Sequence, residues 1–214
     1  MALWRDGRAV SQTVNDARSH AERLPLEAMT WLAAHDVALQ DIDIFVVVAG
    51  PGSFTGLRVG VSAVQGWALA TGKPVAPVPT LAALAASMTT DARRDTVIVP
   101  CMDGLRSEVF IGAWCGGECI ANASVGQPAD AIAAVSAVAD GRPVVIGGDG
   151  AEKYRAEWLA AGWDVVVPSV TIAEAAAAIV AAGQVRPGPP HAVRPNYVRR
   201  TDAEIIRERK GPRP

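Results

Sequence analysis

The stretch Ile42–Gly72, IDIFVVVAGPGSFTGLRVGVSAVQGWALATG, decides the fold. Ile44–Ala49 is an unbroken apolar run rich in β-branched residues, the pattern of a strand buried on both faces. It gives way to Gly50-Pro51-Gly52-Ser53-Phe54-Thr55-Gly56, too rich in glycine for a regular element. A helix is then predicted from about Leu57 to Thr71, with Ser53 or Thr55 as N-cap, Gly72 as the stop and Pro74 barring continuation. Strand, glycine loop and helix in succession frame an anion site, because such a loop can aim backbone N–H groups at a phosphate. Gly50 and Gly52 are the candidates there. The familiar nucleotide motifs do not fit. The glycines are spaced G-x-G-x-x-x-G, one residue longer than the dinucleotide fingerprint, and the next strand, Val75–Val78, ends without an acidic residue for a ribose. Lys73 follows the helix instead of opening it, and Gly52 directly precedes Ser53, so neither a P-loop nor a G-x-S-x-G elbow is present.

The helix carries more information than the loop. Gly60 and Gly66 lie in its interior, where each costs about 1 kcal/mol relative to alanine. Gly56, Gly60 and Ala63 recur at spacings of three and four and share a face. Two readings stand. The more usual is close packing on the chain's own sheet; the sharper is close approach by a helix of another chain, with Phe54 and Trp67 as anchors.

With 214 residues, half of them apolar, the chain has room for one large domain or two small ones with a substantial core. Ala-rich helical segments alternate with Val/Ile runs, which is the α/β pattern. A net charge of −2 excludes a general nucleic-acid footprint. Cys101, Cys115 and Cys119 show no C-x-x-C spacing, and the expectation is buried free thiols in a reducing cytoplasm, with no metal site. His20, His35 and His191 lack ligand spacing, and no Ser-His-Asp machine is supported. No apolar run reaches the ~20 residues of a membrane-spanning helix, and the first residues read as a strand, not a signal peptide.

Taken in order, Ala2–Arg5 and Ala9–Val14 flank Asp6-Gly7, a hairpin turn signal. A helix begins near Ser19, with a capping box to Glu22 and a kink or restart expected at Pro25. Leu24, Ala28, Trp31 and Leu32 form one apolar face, which Leu26, Met29 and Ala33 widen beyond what a single sheet needs. After the central unit come a strand over Pro74–Val78, a helix capped by Thr80 and running to about Met88, and a polar link at Asp91–Asp95. The pattern then restarts: a strand Val97–Met102 ending at Asp103, a hairpin across Gly116-Gly117, a helix Ala129–Val138, and a strand Val144–Gly147 entering Gly147-Gly148-Asp149-Gly150. A helix over Ala151–Ala161, a strand at Val165–Val167 and an Ala-rich helix opened by Thr171 follow, then a Pro/Gly linker over Gln184–Pro190. Both halves read hairpin, helix, strand, glycine loop, helix, strand, helix. An internal duplication of this order fits the duplicated architecture of actin, Hsp70 and sugar kinases (the ASKHA fold), two lobes each with a mixed sheet flanked by helices. The expected boundaries are 1–92 for the first lobe, 93–190 for the second and 191–214 for a tail, read as a solvated, partly frayed helix. Only the second half supplies a strand ahead of its hairpin. The duplication therefore predicts a further strand of roughly five to six residues ahead of Met1, which makes Met1 an internal methionine.

GPGSFTGLRVG (50–60), followed by GKPVAPVPTLAALA (72–85), closely resembles the TsaB (YeaZ) family, with support from SHAERLP (19–25), MDGLRSEVF (102–110) and RPNYVRRTDAE (194–204). These proteins are bacterial subunits of the machinery that makes threonylcarbamoyladenosine beside the tRNA anticodon. The resemblance implies the ASKHA fold and a cytoplasmic, non-catalytic accessory subunit. Its implied partner is TsaD, the related transferase that binds metal through histidines; this chain has no matching histidine pair. The two helices near the N-terminus would pair with the equivalent TsaD helices, which singles out Leu24, Ala28, Trp31, Phe54, Thr55, Gly56, Arg58, Gly60, Ala63 and Trp67. TsaE, an ATPase, is the implied third protein, a homodimer through the same surface is implied when TsaD is absent, and tRNA is met only through the complex. No cofactor is implied on this chain alone, with ADP or ATP admissible at the interface of the complex.

Two rivals come from other classes. A small-molecule, ATP-dependent phosphotransferase on the same fold needs carboxylates near the phosphates, and Asp103 and Asp149, beside Gly148, hold the suitable loop positions. A peptidase, the older label of relatives of TsaD, finds neither nucleophile–base spacing nor a metal motif here.

Overall fold

The turn signals at the start of the chain act as read: Asp6 and Gly7, both at positive φ (51° and 79°), fold β1 (Ala2–Arg5) back onto β2 (Arg8–Gln12). The structure is a computed structural model that describes residues 1–12, 20–88 and 95–199, and their side chains other than those of 11–12 and 20–22. The Ser19–Glu22 capping box, residues 13–14 of the expected hairpin, most of the 91–95 link, and the tail from Arg200 on lie outside what is described.

Helix α1 (His20–Ala33) runs through Pro25 without the expected restart. Ala28 and Leu32, buried beyond the proline, seat its later turns. A 3-10 turn at Leu39–Asp41 leads into β3 (Phe45–Val48), α2 (Phe54–Thr71), β4 (Val75–Val78) and α3 (Thr80–Ser87). The second half supplies β5 (Val97–Leu105), β6 (Glu108–Cys115), β7 (Glu118–Gly126), α4 (Pro128–Ala139) and β8 (Val144–Gly147). There follow α5 (Asp149–Lys153), α6 (Arg155–Ala160), β9 (Asp164–Val166) and α7 (Ile172–Ala181). The single helix expected over 151–161 is two short ones broken at Tyr154. The break accompanies burial of Trp158, whose indole N–H donates to the Gly150 carbonyl at 3.4 Å.

β5 is the axis of the second half. It pairs antiparallel with β6 and parallel with β8 in a five-stranded sheet of order β7-β6-β5-β8-β9. Among the described residues the first half repeats the outer pairs only, β1 antiparallel to β2 and β3 parallel to β4, as separate two-stranded sheets. The expected architecture is otherwise present. α1 and α2 lie against each other on the outer side of the first half, and α2 packs on β3 and β4. α7 and α3 pack together in the middle layer, α7 against the strands of the first half and α3 against β5 and β6. α4 and α5 cover the other face of the second sheet.

The cores differ accordingly. The second half has one continuous cluster, built on Val97, Val99, Val109, Ile111, Val135, Ile146 and a fully buried Trp158 stacked on Trp163 with ring centroids 5.7 Å apart. The first half has separate clusters: Phe45, Val47, Val61, Val64, Ala68 and Val75 under α2, and Leu3, Leu32 and Val37 under α1. The segment read as a free linker is tied to the sheet as well. Gly188 and Val75 exchange backbone hydrogen bonds at 2.9 Å, and Val193 enters the core under α2.

Candidate partner-binding face

Helix α2 starts three residues earlier than its apolar pattern indicates, because Ser53 takes the N-cap and accepts the Gly56 N–H at 3.0 Å. Gly72 closes it in the left-handed conformation at φ 69°. Leu57, Val61, Val64 and Ala68 form its buried stripe. One flank is held by the C-terminal segment. The Gln65 side-chain amide donates to the carbonyls of Pro190 (2.8 Å) and Val193 (3.2 Å). Arg58 Nε donates to the Tyr197 hydroxyl at 3.1 Å, and its guanidinium lies 3.9 Å from the centroid of the Phe54 ring, which sits 5.0 Å from that of Tyr197.

The other flank carries Gly56, Gly60, Ala63 and Trp67. A Cβ built on Gly60, or on Gly66, would meet no atom within 4 Å. Close packing on the chain's own sheet, the more usual explanation of these glycines, is therefore wrong for both. Gly56 is close only to its own cap, a Cβ there lying 2.9 Å from Ser53 Oγ. Trp67 is half-buried against Phe45, centroids 6.4 Å apart, so it serves the chain's own core as well, whereas Phe54 and Thr55 are exposed. α1 extends this surface: Ala28 is buried and Leu24 and Trp31 half-buried, while Leu26 is 72% and Met29 42% exposed. Leu69 on α2 is 66% exposed. α1 and α2 touch, and between them expose Leu26, Met29, Leu69 and the bare backbone of Gly60; Leu69, nine residues on from Gly60, lies on the opposite side of α2.

The nucleotide candidates are placed differently. Gly50 N–H donates to Thr80 Oγ1 at 3.1 Å, and the Gly50 carbonyl accepts the Thr80 N–H at 2.8 Å. Pro79, not Thr80, occupies the N-cap of α3, and the threonine hydroxyl expected to cap that helix secures the loop instead. A Cβ on Gly50 would lie 2.2 Å from the Asn196 carbonyl oxygen, so the C-terminal segment covers this turn; a Cβ on Gly52 would make ordinary contact with Leu57 at 3.6 Å. Gly148, at φ 119°, lies so close to β5 that a Cβ would come 2.2 Å from the Cys101 carbonyl. Gly50 and Gly148 are thus packed closely against the protein's own backbone.

The two carboxylates proposed for a phosphotransferase are engaged in structure. Asp149 Oδ1 accepts the N–H groups of Asp103 and Gly150, both at 2.9 Å. Asp103 is ion-paired with Lys153 (2.8 and 3.0 Å) and accepts the Leu105 N–H at 3.0 Å. Partial burial pushes Asp103 up, but the hydrogen bonds from Lys153 and Leu105 and the charges of Lys153 and Arg199 outweigh it and hold the carboxyl below its usual range. Asp103 in turn raises Lys153. Cys101 next to them is pushed far up, first by burial and then by the two aspartates, and stays a neutral thiol. The expectation of buried thiols holds for Cys101 alone: Cys115 is half-buried and Cys119 exposed, and none of the three is in a disulfide.

Sequence reading missed the strap formed by residues 190–199. Besides Gln65 and Arg58 it engages Ala49, whose carbonyl accepts the Asn196 N–H at 2.6 Å, while Arg199 bonds the Gly104 carbonyl and pairs with Glu108. The signal was present in RPNY (194–197), whose polar and aromatic residues have no role in a solvated tail.

Among the described residues no helix is long and apolar enough to cross a membrane. A family model described as TsaD, tRNA N6-adenosine threonylcarbamoyltransferase, matches residues 14–146. The tRNA threonylcarbamoyladenosine biosynthesis protein TsaB of Escherichia coli is 35% identical over 85 residues, 40% of this chain and 37% of that one. The protein of the same name from Bacillus subtilis is 30% identical over 115 residues, 53% of this chain and 49% of that one. The match thus spans half or less of the length of these curated relatives. A solved structure from Pseudomonas aeruginosa, described as an uncharacterized protein with similarity to peptidase YEAZ, superposes with a TM-score of 0.70 at 25% identity, covering 92% of this chain and 93% of that one. With more than half of its residues matched by the family model and its fold shared along nearly its whole length, the chain belongs to the TsaD family, as a member of the TsaB/YeaZ type.

Proposed function

We propose that this chain is a non-catalytic accessory subunit in the biosynthesis of threonylcarbamoyladenosine on tRNA, and that it holds a TsaD-type transferase in its active form through the α1–α2 face. The observation that carries the reading is Gly60: a costly residue in a helix interior, where an added Cβ would meet nothing of its own chain, on the flank of α2 shared with Gly56, Ala63 and Trp67. The names of the TsaB relatives support the pathway, and the family match supports a partner built on the same fold, whose equivalent helices would pack against these two. Residues 1–92 carry the pairing in this proposal, 93–190 form the second lobe, and 191–214 include the strap. TsaE is the proposed third protein, and the same face pairs with a second copy when TsaD is absent. Any ADP or ATP is held at the interface of the complex, and tRNA is contacted through it. The engaged states of Asp103 and Asp149 support an accessory role over phosphoryl transfer.

The test is co-purification with TsaD of the same organism, followed by reconstituted tRNA modification with and without this chain. Modification is expected to depend on the chain. Gly60→Leu is expected to abolish pairing while leaving a folded monomer, because the added side chain meets open space in the monomer and overpacks an interface. Full modification without the chain, or unimpaired pairing by Gly60→Leu, contradicts the proposal.

A further inference from the structure

Residues 190–199 touch the two halves of the chain in quick succession. On the first half, the Gln65 side chain of α2 donates to the carbonyls of Pro190 and Val193, and Val193 itself is buried in the cluster beneath that helix. The Asn196 N–H then donates to the Ala49 carbonyl at 2.6 Å, just ahead of the turn that leads into α2. The Tyr197 hydroxyl accepts Arg58 Nε at 3.1 Å, and the Tyr197 ring lies 5.0 Å from that of Phe54, over which the Arg58 guanidinium rests at 3.9 Å. Two residues later the strap has reached the second half. Arg199 donates to the Gly104 carbonyl and pairs with Glu108, and its guanidinium lies 5.2 Å from the centroid of the Phe110 ring.

The place where Arg199 docks is closely fitted and itself held. A Cβ on Gly104 would stand 3.0 Å from Arg199 Nη2 and 2.9 Å from the Glu108 carbonyl oxygen, so a side chain there would crowd the guanidinium. The neighbouring Asp103 N–H donates to Asp149 at the start of α5, and the Asp103 carboxylate pairs with Lys153. Two residues of extended chain span at most ~7 Å. Fixing Arg199 on this turn therefore leaves Tyr197 little freedom. Phe54 and Arg58 depend on such a hold, because they lie outside the buried stripe of α2 formed by Leu57, Val61, Val64 and Ala68; Phe54 is 39% and Tyr197 41% exposed.

We propose that Arg199 is a positioning residue for partner binding: it pins the strap to the β5–β6 turn, holds Tyr197 against Phe54 and Arg58, and so presents the start of α2 in one fixed form to the TsaD-type partner. The proposal rests on the α1–α2 reading and adds to it that the second half shapes the partner face from outside it. The gain is preorganisation. Phe54 and Arg58 ordered in the free chain need no ordering on association, and each such side chain left loose weakens binding roughly 2- to 10-fold.

The test uses the full 214-residue chain and the TsaD of the same organism. Pairing is measured by titration calorimetry, and amide exchange is followed in the isolated chain at Leu57 and Arg58, with the α4 amides as reference. Arg199→Ala is expected to raise Kd roughly 10-fold and to speed exchange at Leu57 and Arg58 roughly 10-fold, with no change in α4. Glu108→Ala removes the pin from the other side, is expected to act in the same direction, and guards against a defect peculiar to one variant. Arg199→Lys keeps a positive charge opposite Glu108 and is expected to recover most of the affinity. Wild-type Kd in both alanine variants overturns the proposal. So does weaker pairing with unchanged exchange at Leu57 and Arg58, which would make Arg199 a partner contact, and so does faster exchange in α4 as well, which would make it a prop of the whole fold. If the wild-type chain does not pair at all, the partner reading fails, and exchange at Leu57 and Arg58 still decides whether Arg199 holds α2.

Discussion

The two halves of this chain build the same outer strand pairs and differ in what joins them. In the second half β5 unites them, and a single core forms around Trp158. In the first half, among the described residues, the pairs are bridged by side chains and by α7, and the core divides into smaller clusters. Sheet continuity thus sets how much apolar surface one core can gather. The first half also carries the bare Gly60 and Gly66 of α2 and the exposed Leu26 and Leu69.

The sharpest way to break this comparison is to empty both cores. Trp158→Ala is expected to cost about 4–5 kcal/mol and Phe45→Ala about 2–3 kcal/mol in chemical denaturation, since Trp158 lies in the continuous core and Phe45 in a divided one. Equal losses would show that the break in the first sheet does not matter to packing.

Glycine substitutions come next, because Gly148 and Gly60 stand in opposite surroundings, one crowded and one bare. Gly148→Ala should destabilise the protein by about 1–3 kcal/mol, from the left-handed backbone and the approach to the Cys101 carbonyl. Gly60→Ala should stabilise the isolated monomer by up to about 1 kcal/mol through helix propensity, since nothing stands within 4 Å. Thermal melts of the two variants that moved in the same direction would remove the distinction.

The smallest effect lies in the polar joint between β5 and α5. Asp103 is held below its usual pKa, so its contribution is complete above the ordinary carboxylate value of about 3.9 and fades as pH falls through the lower folded value. Lys153 is raised, so its share is complete below about 10.4 and fades as pH rises through the higher folded value. The difference in Tm between the wild type and Asp103→Asn should therefore be flat at neutral pH and shrink at both extremes. A difference that persists unchanged into strong acid would show that the ion pair with Lys153 contributes nothing.

What could be read without coordinates was set by chemistry within a few residues. Ser53 and Gly72 bound α2, Thr171 and Glu174 form the capping box of α7, and the turn at Gly116-Gly117 joins β6 to β7, each at or near its expected place. The duplication was legible for the same reason, as a repeated order of local patterns, and with it the fold. At Pro25 the helix continues, so of the expected kink or restart the restart does not occur. Thr80 misled because its hydroxyl found Gly50 in another part of the chain.

The sequence by itself determined the elements, their order and the presence of costly glycines. Only the tertiary structure decided what each glycine is for. Gly50 and Gly60 are ten residues apart and the same side chain, yet one is covered by the Asn196 carbonyl and the other is bare. That outcome depends on where residues 190–199 cross the molecule, held by Gln65, Arg58 and Ala49. A helix pattern records that backbone can be approached closely; which surface makes the approach is a property of segments distant in the chain, and it is set only when they pack.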